Sequence, residues 1–112
     1  MDLKILKKIN GVKTDSNIDI NECFIFLKVE TTNLLTQGTI DIDYLCYINK
    51  DDISNQNIKP FKLLKEDGER LLMIDNFQPT EIINQLNYAE QCKIAFLEAM
   101  DWISDDLIIE ED

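Results

Sequence analysis

The clearest periodicity in the chain is an alternation of period two. From Thr39 to Ile48 it sets Ile40, Ile42, Tyr44, Cys46 and Ile48 on one side and Asp41 and Asp43 on the other, as in a strand with one face on a core and one toward water. Upstream, Glu22 to Glu30 is dense in aromatic and β-branched residues. It reads as a well-buried strand with Cys23, Ile25, Leu27 and Val29 on one face and Phe24 and Phe26 on the other. Thr31 to Gly38, between the two, has a suitable length for a hairpin connection. A second hairpin is signalled by the apolar runs Phe61–Lys65 and Arg70–Ile74 around Asp67-Gly68, because this dipeptide tolerates the positive φ angles of a tight turn.

Two further segments follow the helical period. Leu3, Leu6 and Ile9 lie three apart, with Ile5 alongside and Gly11 as a stop, which predicts a short amphipathic helix over 2–10, with a strand as the alternative. A long helix is predicted from Pro79 to about Ile103, opened by a proline and by Glu81 in the first turn. At 100° per residue its stripe gathers Ile82, Leu86, Ala89, Phe96, Leu97, Met100 and Ile103. Lys93 projects near the middle of this stripe, where its stem can lie on apolar surface. Trp102 points away from it. Either the helix ends before Trp102 and the ring is buried, or the ring is an exposed aromatic anchor among acids.

The expected fold class is therefore α+β: a mainly antiparallel four-stranded sheet from two hairpins, a short N-terminal helix, and one long C-terminal helix packed on the sheet. Residues 1–112 are expected to form a single domain with an acidic C-terminal tail over about 104–112. The composition agrees, since 45% hydrophobic residues suffice for one core, while three glycines and two prolines leave no long flexible linker. Aromatic and branched aliphatic residues from Ile5 to Trp102 oppose disorder.

Charge changes the picture most. There are 22 acids against 11 bases and no histidine, a net charge of -11. The imbalance is steepest at the end, where Glu98, Asp101, Asp105, Asp106, Glu110, Glu111 and Asp112 follow one another without a base. Such a chain repels nucleic acid and anionic lipid and attracts a basic partner. Arg70 is the only arginine, and Lys4, Lys7, Lys8 and Lys13 make one small basic patch, so direct nucleic-acid binding is not expected. No apolar run approaches the about 20 residues of a membrane span, and the N-terminus lacks a secretory pattern, so a cytoplasmic location is expected.

Catalytic chemistry finds little to use. Without histidine the usual general base and transition-metal ligand are missing. Cys23, Cys46 and Cys92 are widely spaced in apolar surroundings and read as buried thiols. No glycine-rich phosphate loop exists. Carboxylate-only Mg²⁺ chemistry is left, on Asp41 with Asp43, about 7 Å apart by strand rise, or on Asp105 with Asp106. No catalytic residue, metal ligand or cofactor is assigned.

Binding is the class the charge supports. Glu98, Asp101, Asp105 and Asp106 are expected to steer and pair with lysine or arginine of a partner, with Trp102 as the aromatic contact. Asp41 and Asp43, with Asp51 and Asp52, form a second acidic surface. In size and acidity, though not through any specific residues, the chain resembles the immunity proteins of bacterial toxin systems and the small phage proteins that mimic DNA charge. The resemblance implies an immunity- or antitoxin-like protein that neutralises a basic toxin domain, a nuclease, by stoichiometric binding. The alternatives are a DNA-mimic inhibitor of a nucleic-acid enzyme and a carboxylate-dependent Mg²⁺ hydrolase.

Overall fold

The computed structural model describes residues 4–81, 83 and 87–110. In chain order the elements are β1 (Lys4–Lys8), β2 (Val12–Lys13), β3 (Asp19–Ile20), β4 (Cys23–Glu30), α1 (Leu34–Gln37), β5 (Ile40–Tyr47), β6 (Leu63–Leu64), β7 (Arg70–Leu71), β8 (Ile74–Phe77), α2 (Tyr88–Met100) and β9 (Leu107–Glu110). Five strands form one antiparallel sheet in the order β8-β5-β4-β1-β9. The remaining strands form two small hairpins, β2-β3 and β6-β7, joined by a bridge between Thr14 and Leu63.

β4 and β5 pair over seven positions, from Phe24 opposite Tyr47 to Glu30 opposite Asp41. Their alternation decides which face is buried. Cys23, Ile25, Ile40, Ile42, Tyr44 and Cys46 join Leu6 of β1 and Leu107 of β9 in the main core, against Cys92, Ala95, Phe96 and Met100 of α2. Leu63 and Leu71 of the β6-β7 hairpin complete this core. Tyr44 ties the two parts together, since its hydroxyl donates to the Leu71 carbonyl and accepts the Leu63 N–H at 3.0 Å. A buried hydroxyl with both partners met fixes the hairpin's position on the sheet. Burial also pushes the phenol well above its ordinary pKa, so it remains a donor.

Several sequence expectations are corrected here. The sheet has five strands rather than four, and the second hairpin lies outside it. Residues 4–8 are a strand and not part of a helix, with β4 on one side and β9 on the other. A strand in that position buries residues on both faces, here Ile5 and Leu6, so its apolar spacing imitates the helical period. The expected acidic tail is also used: Leu107–Glu110 is an edge strand, with Leu107 in the core. Glu111 and Asp112 lie outside the described residues.

The long helix is shorter than its pattern. It begins at Tyr88, and Pro79 to Glu81 are not helical. The N–H of Thr80 is instead accepted at 2.9 Å by Gln91 Oε1, on a buried side chain. Ile82 and Leu86 of the expected stripe lie outside the described residues. Ala89, Phe96 and Met100 are buried as expected, while Cys92 and Ala95 replace Lys93 on the packed face and Lys93 is only half-buried.

The other end of α2 stops at Asp101, which is left-handed at φ 56° and donates its N–H to Leu97 O. Trp102 then donates to the same carbonyl at 3.2 Å, and the chain turns back. An L-residue with a carboxylate is poorly suited to this exposed position, both for its backbone and for its charge at a helix C-terminus. Asp101→Gly is expected to stabilise the protein by about 0.5–1 kcal/mol and to raise the thermal midpoint by a few degrees. A lower midpoint in a calorimetric scan would show that the Asp101 side chain contributes more than it costs.

Candidate functional site

The acids expected to act together at the end of α2 are dispersed by the fold. Glu98 lines a shallow groove beside β8 with Asp75, Asn76 and Phe77. Asp101 and Asp105 are exposed, and Asp101 is the helix cap. Asp106 turns inward, accepting from Asn10 Nδ2 at 2.6 Å and facing the Lys8 ammonium at 4.0 Å.

Trp102 is half-buried rather than displayed. Its ring stacks on Phe96 with centroids 6.3 Å apart at 12°, and the Lys8 ammonium lies 5.0 Å from its centroid. Lys8 itself is almost fully buried, donating to the carbonyls of Ile9 and Gly11. Burial pulls its pKa below the usual lysine range, an effect that Asp106 opposes. The reading in which the helix ends before Trp102 and the ring is packed is the one realised.

An edge of Trp102, with Met100 and Val12, lines a cleft of about 820 Å³ between the β2-β3 and β6-β7 hairpins. Its volume suits a small ligand. Most of the charges around it are matched among themselves, however, Glu66 being an acid of its lining with no base within ion-pair distance among the described residues. Lys13 lies 3.7 Å from Asp19, Arg70 lies 3.7 Å from Asp15, and Lys65 sits within 4 Å of both Asp67 and Glu69.

The outer face of the large sheet, opposite α2, is different. Register places Tyr47, Phe24, Lys7 and Ile108 in one lateral row across β5, β4, β1 and β9, and Leu45, Phe26, Ile5 and Glu110 in the next. Ile5, Phe26 and Tyr47 form a second buried cluster against Phe24, separate from the main core. Phe26 and Tyr47 meet edge to face at 5.7 Å. Leu45 and Ile108, at opposite ends of the rows, remain 41% and 42% exposed.

Beyond these rows come Asp43 opposite Lys28 and then Asp41 opposite Glu30. Like charges placed directly across a sheet are destabilising. Asp41 is partly relieved by accepting the Asn76 N–H at 2.9 Å, but Glu30 has no cation within ion-pair distance among the described residues. The structure thus brings Asp41 and Asp43 together on one apolar-centred face and joins Glu30, Phe24, Leu45 and Ile108 to them. Those four were not assigned from sequence, although the alternation of β4 already set Phe24 and Phe26 on the face opposite Cys23 and Ile25.

Asp43 has a further task. The backbone of Tyr44 points away from β4 at a place where β5 is unpaired, between β8 along Ile40–Ile42 and Phe61 at Cys46. Asp43 Oδ1 accepts the Tyr44 N–H at 2.8 Å, and Lys62 Nζ donates to the Tyr44 carbonyl while lying 2.7 Å from Asp43 Oδ1. Two side chains close the sheet edge where no strand does. Burial raises the Asp43 pKa, but the hydrogen bonds from Lys62 and Tyr44 outweigh it, and the carboxyl is held below its ordinary value.

No family model, curated protein or solved structure matches this chain. Its own chemistry carries the argument alone. Among the described residues no group of three or more potential ligands could hold a metal ion, and a cation at Asp43 would have to displace Lys62. The three cysteines are buried, as their surroundings suggested. Burial pushes the Cys92 thiol up to about 12 and that of Cys46 well above its ordinary value, so neither is a reactive thiolate. Among the described residues no helix is long and apolar enough to cross a membrane.

Proposed function

We propose that the protein is an immunity- or antitoxin-like inhibitor that binds a basic toxin domain, a nuclease, one to one in the cytoplasm and neutralises it. The observation that carries this reading is how the fold uses its few bases. Lys7, Lys8, Lys13, Lys62, Lys65 and Arg70 each lie within ion-pair distance of a carboxylate of the same chain. Internal pairing leaves the net charge of -11 to act outward. A field of that sign accelerates encounter with a basic partner and disfavours contact with nucleic acid or with a second copy.

The test is protection. Co-expression with the nuclease-like product of a neighbouring gene should rescue growth, and the purified pair should form a one-to-one complex whose affinity falls steeply between low and high salt. Growth arrest that persists despite soluble co-expression removes the reading. Duplex DNA that competes for the same partner would favour the DNA-mimic alternative.

A further inference from the structure

We infer that the cleft between the β2-β3 and β6-β7 hairpins is a binding site for a small organic cation with an aromatic body, an arylalkyl ammonium. The inference stands apart from the inhibitor reading, since it uses only the shape and charges of this chain. The floor draws Val12, Ile20, Leu64, Met100 and Trp102 from β2, β3, β6 and the C-terminal end of α2 with the turn after it. Its volume of about 820 Å³ lies in the range that holds small ligands. The outer face of the large sheet has no such hollow, because Ile5, Phe26 and Tyr47 fill its centre. The groove at Glu98 is half as large, at about 410 Å³.

Charge selects the sign of the ligand. From 65 to 69 the β6-β7 turn carries Glu66, Asp67 and Glu69 against Lys65 alone. On the other side Lys13 is answered by Asp19, and Asp15 by Arg70. Negative charge is therefore in excess on the turn side, and Glu66 is the lining acid left without a base among the described residues. An ammonium beside Glu66 relieves that excess. An anion would meet only Lys13 and Lys65, which already have carboxylates, in the field of a chain of net charge -11.

The aromatic body follows from the floor. Phe96 and the Lys8 ammonium already contact the Trp102 ring, which leaves the cleft an edge of the indole. Ring edges carry partial positive charge and favour the face of another aromatic ring. The thioether of Met100, in the same lining, also suits an aromatic neighbour.

The probe is 2-phenylethylammonium, titrated into the ¹⁵N-labelled protein at neutral pH and low salt, with 2-phenylethanol and phenylacetate as neutral and anionic companions. A dissociation constant of about 1 mM is expected for a ligand of so few atoms. Amide shifts should concentrate at Val12, Ile20, Leu64 and Glu66 and at the Trp102 indole. Fluorescence should change in step, because Trp102 is the only tryptophan. The alcohol should bind more weakly than the ammonium, and phenylacetate least. Two substitutions in the turn should move the affinity in opposite directions. Glu66→Gln should weaken the ammonium about two- to fivefold, whereas Lys65→Gln frees Asp67 and Glu69 and should strengthen it by a similar factor. Glu98→Gln, in the other groove, should leave it unchanged.

Absence of saturable binding by the ammonium, shifts centred on Glu98 or on the outer sheet face, binding of either companion as tightly as the ammonium, or weaker binding by Lys65→Gln would each overturn the assignment. None of these outcomes bears on the protection experiment, so the two proposals fail separately.

Discussion

Phe96→Ala is expected to cost about 3–5 kcal/mol, the range for removing an aromatic ring from a core that collapses only partly around the void. The ring is fully buried on α2, edge-on to Tyr44 at 5.2 Å and stacked against Trp102. Its loss therefore disturbs both the tyrosine that positions the β6-β7 hairpin and the residue that follows the helix cap. Against a typical total stability of about 5–15 kcal/mol, the variant should be barely folded or unfolded at 37 °C. Trp102 is the only tryptophan, so its emission should move to the red as the stack is lost. Leu35→Ala is the control, because Leu35 is 99% exposed and should shift the urea midpoint very little. A loss below about 1 kcal/mol for Phe96→Ala would contradict the packing described.

The second large effect is expected at the sheet edge. Lys62→Met keeps a long apolar stem but removes the ammonium, which lies 4.2 Å from the Tyr44 ring centroid and is shared by the Tyr44 carbonyl and Asp43. The expected loss is about 1.5–3 kcal/mol at neutral pH, the scale for a hydrogen bond involving a charged group. Most of it comes from the unmet carbonyl, because Asp43 is about half exposed and solvent screens its share.

Proton linkage gives this prediction a sign. Asp43 has a depressed pKa in the folded state, so its contribution is complete above the ordinary aspartate value of 3.8 and disappears as pH falls through the folded value. The stability gap between wild type and Lys62→Met should therefore narrow below about pH 4, with the other carboxylates cancelling in the comparison. Urea titrations at pH 7 and pH 3 decide it. A gap that stays constant or widens on acidification would show that Asp43 gains nothing from Lys62.

Both effects depend on residues whose importance the linear pattern understates. Phe96 is visible as one member of a helical stripe, but nothing local identifies it as the ring between Tyr44 and Trp102. Lys62 sits between the apolar residues Phe61 and Leu63 and looks like an ordinary solvent-facing lysine. Its role arises because β5 changes partner beside Tyr44 and leaves one carbonyl for a side chain to satisfy. The candidate surface has the same origin. Asp41 and Asp43 are legible as the polar side of a strand, whereas the opposition of Glu30 to Asp41 exists only once β4 and β5 are in register.

The sequence by itself determined what short-range physics controls. It marked β4 and β5 as strands and, for β5, the side that enters the core from Ile40 to Cys46, because a two-residue period and burial coincide there, although Ile48 of the same alternation lies beyond the strand and is exposed. It also located the turn at Gly68, where φ is +86°, and set the sign and size of the net charge. Tertiary structure decided everything that needs a distant partner. Residues 4–8 became a strand because β9, about a hundred residues away, pairs with one of its edges and β4 with the other. Trp102 became a packed ring because a left-handed Asp101 sends the chain back onto Phe96 and Lys8. The run of acids from Glu98 to Asp106 ceased to be one surface for the same reason: a helix end, a turn and an edge strand point neighbours in sequence toward different parts of the molecule.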